Sequence, residues 1–357
     1  MLSYLQVTNF RNISSCELQL HPRLNWIIGE NGSGKTSLLE SLYCLSSSRS
    51  FRTNNHLHLI RHGQQGSLIF AETASTPKVR LGVGLDKDNG KEIRINSERA
   101  RAASELAVQL PVQVITPKVS QLIEGGPNER RRFLDWGVFH VEHFYRETLA
   151  RFNRVLKQRN ALLKESAQRS LVAAWDKEFV ELAQSITQAR ESYVETLVAK
   201  ISTLCQSFAD LPQTSIRLYP GWPLDEKLED RLKQAWTIDL RRAQTQFGPH
   251  RADIRIKTAT ALAKDELSRG QLKLLSCVMI LSQLQILEER AKQSVVLIDD
   301  ISAEFDFQNR QRILQMALDS GAQLFVTGTS QQQLENLVSH YDSKMFHVEH
   351  GAVTEVI

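Results

Sequence analysis

The sequence predicts an α/β fold in which a strand-rich head is split by an inserted helical arm. Three observations predict it. The glycine-rich run GENGSGKT, residues 29–36, stands between a buried-strand pattern and an apolar helix pattern. A second apolar run, VVLI at 295–298, ends in two acids, Asp299 and Asp300. Between these, from about 127 to 245, apolar residues recur at helical rather than strand spacing.

The bulk composition bounds the rest. A chain of 357 residues with 41% hydrophobic and 24% charged residues has the apolar mass for one large or two ordinary domains. The net charge of +4 permits a nucleic-acid partner without requiring one. Cys16, Cys44, Cys205 and Cys277 are scattered and form no C-x-x-C, so reduced thiols are expected. The opening MLSYLQVTNFRN lacks a basic region followed by an apolar one. The longest apolar stretch, LLSCVMILSQLQIL, carries two Ser and two Gln and reads as a buried helix. A soluble cytoplasmic protein, away from membranes, is the expectation.

In chain order, LSYLQVTNF, CELQL and LNWIIG read as strands, the last entering the glycine loop. SLIFAET, VRLGVGLD and EIRIN, within 66–95, predict an antiparallel sheet beside it. A helix is expected over about 140–166. A longer one is expected over 171–209, where apolar residues from Trp175 to Phe208 recur every 3.67 residues on average. Together they form a helical hairpin, the arm. LPQT and YPGWP break the pattern after it. Strand signals return at 252–258. Then follow a helix from LSRGQ, the strands SVVLIDD and QLFVTG, and a closing hairpin in KMFHVEHGAVTEVI. The head is thus expected over 1–126 and 246–357, and the arm over 127–245.

Gly29-Glu30-Asn31-Gly32-Ser33-Gly34-Lys35-Thr36 fits G-x-x-x-x-G-K-[ST]. Glycines let successive N–H groups curl around one anion, and the following helix points its positive end there. Lys35 is placed to reach the β- and γ-phosphates and Thr36 to ligate Mg²⁺. The buried strand ending in Asp299 and Asp300 supplies the acids: Asp299 to hold Mg²⁺ through its water shell, Asp300 to orient or deprotonate water. The ligands expected are therefore a triphosphate and Mg²⁺. Ser268 and Gln271 can form a capping box at a helix start, 31 residues before Asp299.

LSRGQ at a helix start, shortly before the acidic strand, resembles the L-S-G-G-Q signature of ABC-type ATPases. SAEFD at 302–306 resembles the loop that follows in them. The resemblance implies an ABC-type P-loop ATPase head. In it, Ser268, Gly270 and Gln271 would close over nucleotide held by a second subunit, making an ATP-dependent homodimer. The 230-odd residues between loop and signature, with their helix pair, resemble the chromosome-maintenance and DNA-repair branch, as does NFRN at 9–12. There that segment, here with Arg11, helps hold nucleotide.

GGPNERRRFLDW, LKQRNALLK, FGPHRAD, LSRGQLKLL and LIDDISAEFD together resemble the bacterial RecF recombination-repair family over essentially the whole chain. This resemblance implies an ATP-binding, weakly hydrolysing protein of repair, replication restart and the SOS response. Such a protein binds single-strand gaps and duplex junctions in DNA and works with RecO and RecR to direct RecA. Residues 146–169 hold seven basic residues against two acidic ones, making Arg151, Arg154, Lys157 and Arg159 candidate DNA contacts. A solvated helix face is the alternative use of that charge. Arg130, Arg131 and Arg132 form a further candidate patch, with packing as the alternative. No groove-reading element is visible, so sequence-specific readout is not expected.

Several positions depart from the ABC-type pattern. Asp300 stands where transporter-type members carry glutamate, which implies slow turnover. Thr327 or Thr329 stands where they place a histidine, Arg269 replaces a glycine, and Gln121 falls near the expected linking glutamine. His250 lies near nucleotide or an interface on this reading. FHVEH occurs twice, at 139–143 and 346–350, without a larger repeat, and its spacing does not suit a metal in a strand. Two rival functions remain open on sequence: the energising subunit of a membrane transporter, and a scaffold that uses ATP only for folding.

Overall fold

The structure, a computed structural model, describes residues 1–165, 168–301, 305–329 and 341–356. SAEFD is described only from Phe305 onward, so Ser302, Ala303 and Glu304 lie outside the described residues. β1 (Leu2–Phe10) and β2 (Ile13–Gln19) pair antiparallel, and β3 (Leu24–Ile28) runs into the glycine loop ahead of α1 (Lys35–Ser47). Next come β4 (Gly66–Thr73), β5 (Arg80–Asp86), β6 (Gly90–Ile95), β7 (Glu98–Arg99), α2 (Ala103–Gln109) and β8 (Val112–Ile115). The helical stretch holds α3 (Gln121–Glu124), α4 (Pro127–Val141), α5 (Tyr145–Lys164), α6 (Arg169–Ala173) and α7 (Asp176–Cys205). β9 (Ser215–Tyr219), α8 (Leu228–Gln234), α9 (Trp236–Arg242), β10 (Asp253–Lys257), α10 (Ala263–Glu266) and α11 (Arg269–Glu289) follow. β11 (Val295–Ile298), α12 (Phe307–Asp319), β12 (Gln323–Gly328), β13 (Lys344–Glu349) and β14 (Ala352–Val356) close the chain.

Two compact units result, one of residues 1–119 with 280–357, the other of 120–279. The first holds two six-stranded sheets. One is antiparallel, ordered β2-β1-β4-β5-β6-β7; the other is ordered β14-β13-β3-β12-β11-β8 and is parallel except at β14. β3, β11 and β12 have every residue buried, as parallel strands covered on both faces must. α1 packs on strands of both sheets, and Leu38, Leu39, Leu42 and Leu45 join their core. Burying four leucines is worth roughly 6–12 kcal/mol of transfer free energy before entropy is counted, so α1 is held by packing.

In the second unit α5 packs along α7, and β9 pairs antiparallel with β10. The helical hairpin is present, but the long helix breaks at Ala174 and Trp175 and starts properly at Asp176. The helix expected from 140 starts at Tyr145, because α4 occupies 127–141. β8 and β9 were too short for their alternation to show. The units divide at 119/120 and 279/280, where composition suggested 126/127 and 245/246. Residues 246–279 join the second unit because β10 pairs with β9 and Arg130 of α4 forks onto Asp253, at 2.7 and 3.1 Å. α11 is long and apolar enough to cross a membrane, yet Leu272, Leu275, Val278, Leu281 and Leu284 are buried inside the protein. It is a core helix, as expected.

Candidate functional site

Strand order builds the site. β3 ends in the glycine loop, β11 in the two acids, and β12 lies hydrogen-bonded between them. All three run parallel, so the loop and the acids meet at the same carboxyl edge, where open α/β sheets bind ligands. The Thr36 hydroxyl lies 3.1 Å from both oxygens of the Asp299 carboxylate. Thr327, fully buried on β12, donates its hydroxyl to Asp299 Oδ1 at 2.9 Å and accepts the Asp300 N–H at 2.7 Å. Asp300 sits at φ 53, a strained backbone for a non-glycine residue, held there by that bond. Thr327, one of the two threonines standing where a histidine is placed in transporter-type members, therefore positions both acids.

Burial raises the Asp299 pKa and the neighbouring Asp300 charge adds to it; hydrogen bonds from Thr327 and Thr36, and the Arg52 charge, oppose the rise. Lys35 has its pKa lowered by burial, while Asp300 and Asp299 pull it back. Its ammonium donates to the carbonyls of Gly29 at 2.6 Å and Glu30 at 2.8 Å, spanning the loop from within. A hydroxyl and a carboxylate 3.1 Å apart are hard oxygen donors suited to Mg²⁺. The Ser33 hydroxyl is buried inside the loop with no partner among the described residues, a donor that fits an anion in the cradle.

The loop is braced from two sides. The Ser33 carbonyl accepts from Asn12 Nδ2 and from the Gly351 N–H, both at 2.9 Å. Anchoring that carbonyl outward turns the Gly34 N–H, on the same peptide plane, the opposite way. His350 and Gly351 form the two-residue turn between β13 and β14, with φ 48 and 81. Two glycines are required by close approach: a Cβ on Gly29 would sit 2.3 Å from the Val348 carbonyl oxygen, and one on Gly351 would sit 2.2 Å from that of Asn12. Asn12 and the second FHVEH thus serve the loop mechanically, a role sequence reasoning missed. Among the described residues no His, Cys, Asp and Glu cluster could hold a metal.

Arg11, expected to help hold nucleotide, is placed beside α1. Its fork grips the buried Glu40 of α1 at 2.7 and 2.8 Å, and its third nitrogen donates to the His58 carbonyl. Arg52 lies 3.7 Å from Glu40 and close enough to Asp299 to favour its charged form; nothing in its sequence context marked it.

At the signature, Ser268 and Gln271 form the capping box: Ser268 N–H to Gln271 Oε1 at 2.9 Å, Gln271 N–H to Ser268 Oγ at 3.3 Å. The Gln271 amide also donates to the Asp210 carbonyl at 2.7 Å. Ser268, Arg269 and Gly270 are exposed at the N-terminus of the 21-residue α11, and Gln121 is exposed where α3 begins.

The basic residues separate into two sets. Arg159 is 1% exposed and corrected from a DNA contact to a core ion: it bonds Asp176 at 2.9 Å, the fully buried Asp239 at 2.9 Å and Thr245 at 2.7 Å. Arg151 is paired with Glu178 at 2.5 Å. Arg146, Arg154, Lys157 and Lys164 are exposed with no carboxylate partner among the described residues. Arg130 packs onto Asp253 and Arg131 onto the Ala252 carbonyl, whereas Arg132 stays exposed beside Glu129, one turn away on α4.

His250 is structural as well. It sits beside Phe152 and Phe179, its Nε2 3.0 Å from the Thr245 carbonyl, and burial lowers its pKa from 6.5 to about 4. A depressed histidine pKa means the fold prefers the neutral ring. Stability is then complete above pH 6.5 and falls as pH drops from 6.5 toward 4, by about 3 kcal/mol at most. Urea unfolding of the second unit should show this loss, and His250→Gln should flatten it; equal slopes would assign the pH dependence elsewhere.

The RecF/RecN/SMC N-terminal domain family profile matches residues 1–354. The DNA replication and repair protein RecF of Hahella chejuensis is 42% identical, and that of Vibrio parahaemolyticus 37%, each over 99% of both chains. A solved structure of the recombination mediator protein RecF with ATP, from the RecFOR pathway, superposes with TM-score 0.88 at 27% identity, covering 100% of this chain and 97% of that one. An Smc head bound to the C-terminal winged-helix domain of ScpA shares the fold at TM-score 0.59 and 15% identity, over 99% and 97% of the two chains.

Proposed function

This chain belongs to the RecF family, and from that premise we propose that it works in recombinational repair and replication restart as an ATP-gated DNA clamp. The observation that carries the proposal is the joint placement of Lys35, Thr36, Asp299, Thr327 and Asp300 at one sheet edge. Mg²⁺ would be held by Thr36 and Asp299. Bound metal and ATP supply a polarised γ-phosphate; Asp300 orients the water, and Thr327 fixes Asp300. The exposed α11 terminus at Ser268 is an anion-binding end suited to the γ-phosphate held by a second copy. ATP then stabilises the homodimer by mass action, and slow hydrolysis releases it.

DNA would be held through α5. Successive steps of 8, 3 and 7 residues keep Arg146, Arg154, Lys157 and Lys164 on one helical face, about 27 Å long. Such a face meets phosphates without reading bases, which suits gaps and single-strand to duplex junctions. The reading includes RecO and RecR as partners, RecA as the downstream recipient, a part in the SOS response and a cytoplasmic site of action; the RecFOR pathway named for the related structure supports its mediator part. The transporter-subunit alternative is not favoured, because the relatives matched over the full chain are RecF proteins.

Light scattering and gapped-DNA retention, with and without ATP, test the clamp. Ser268→Arg should bind ATP and remain monomeric, and Asp300→Asn should give a long-lived ATP dimer. Normal dimerisation of Ser268→Arg with ATP would refute closure across two copies.

A further inference from the structure

The two-stranded sheet of the second unit carries like charges where strand pairing disfavours them. β9 and β10 place Ile216 opposite Ile256 and Leu218 opposite Ile254, with the three isoleucines buried and Leu218 half-buried. The register then forces Arg217 directly opposite Arg255, and Ser215 opposite Lys257, on the exposed face. Directly opposed like charges cost a sheet up to about 1 kcal/mol. Arg217, Arg255 and Lys257 have no carboxylate partner among the described residues. The Arg255 guanidinium is steadied over the Tyr219 ring, 4.2 Å from its centroid. Beside it lies a cleft of about 400 Å³ to which Arg255, Lys264 and the start of α4 at Gly126 contribute. Two carboxylates, Glu124 and Asp253, also line the cleft, but Asp253 is held by Arg130. On the neighbouring turn, Glu266 accepts hydrogen bonds from Thr258 and Thr260.

We propose that this sheet face, Arg217, Arg255 and Lys257 with Lys264 at its edge, is a second binding surface for the phosphate backbone of nucleic acid, distinct from the face of α5. The inference rests on the DNA-clamp reading and deepens it. Polyanion complementarity chooses the occupant: the cations have no carboxylate partner among the described residues, Arg255 and Lys257 stand two residues apart along β10 with Arg217 directly across on β9, and Tyr219 steadies Arg255, while the opposite face is apolar. Phosphates crossing the sheet would relieve the Arg217–Arg255 repulsion, so binding and local stability are coupled. Contacts of this kind are insensitive to base sequence and strongly sensitive to salt.

The test compares gapped-duplex binding by the full chain across a salt series for wild type, for Arg217→Ala/Arg255→Ala/Lys257→Ala, and for Arg154→Ala/Lys157→Ala on α5. Each phosphate contact removed lowers the slope of log K against log salt by about 0.9, so the sheet variant should lose roughly two to three units of slope. Its affinity should fall at least tenfold at moderate salt. Its melting temperature should equal or exceed that of wild type, because the repulsion is gone; this separates lost binding from lost folding. Wild-type affinity and slope in the sheet variant, with the α5 variant impaired, would overturn the sheet surface and leave the clamp standing. No DNA binding by wild type would overturn both. Undiminished DNA binding together with lost capture of an acidic protein would reassign the face to a protein partner.

Discussion

Arg159→Ala is expected to unfold the second unit at temperatures where Arg154→Ala and Lys157→Ala remain native. The substitution removes the cation from a buried cluster and leaves Asp239, fully buried, and Asp176 without their partner. It also removes the donor to Thr245, which Asn160 holds at 2.8 Å. Breaking a buried pair from one side typically costs about 3–5 kcal/mol, because the surviving charge keeps its desolvation penalty. Burial already raises the Asp239 pKa, opposed first by the hydrogen bond from Arg159. Without that bond the carboxyl should protonate more readily, so the loss should be smaller at acid pH. Exposed Arg154 and Lys157 lack any such partner, and their removal should shift stability by less than about 0.5 kcal/mol. Calorimetry and DNA retention on the same three proteins decide the matter. If Arg159→Ala melts like wild type, the buried network is not what holds α5, α7 and α9 together.

Asp299→Asn should abolish ATP hydrolysis, at least about 100-fold, while Thr327→Val should reduce it by a smaller factor with ATP affinity retained. Asparagine keeps the volume of the side chain but loses the charge needed for a divalent metal. An amide nitrogen would also face Thr36 or Thr327, each of which the structure places as a donor toward Asp299. Thr327→Val leaves the Asp299 carboxyl in place beside Thr36 but frees the Asp300 backbone at its strained φ of 53. Losing that restraint displaces Asp300, the residue proposed to orient water, and small misplacements of reacting groups cost rate rather than binding. Single-turnover hydrolysis and equilibrium binding of a labelled ATP analogue separate the effects. Equal loss of ATP affinity and rate in Thr327→Val would mean the threonine contacts nucleotide after all.

The phosphate loop, the acid pair and the helical hairpin were legible because each depends on short-range pattern: glycines where the backbone must curl, four apolar residues before the acids, a period near 3.6. What was not legible depends on pairing between distant segments. Nothing in the helical pattern of α5 says which of its cations meets Asp176 and Asp239, so Arg159 read like its neighbours. Thr327 could be placed beside the acids but not assigned its bonds, since the strand order β3-β12-β11 is a tertiary fact. Asn12 and Gly351 act through one carbonyl, that of Ser33, and no local signal links residues 12, 33 and 351. Gln271 shows the reverse: the capping box was read correctly, and the structure adds that its amide is occupied twice.

The brace on the phosphate loop has a consequence for biosynthesis. β3, which leads into that loop, is flanked by β12 and β13, and the loop's own carbonyl waits for Gly351. A ribosome adding about 5–20 residues per second needs roughly half a minute between the two ends of this bond. The growing polypeptide would therefore carry a complete nucleotide motif that cannot yet close on ATP. Nascent copies on one messenger would not be clamped to each other before release.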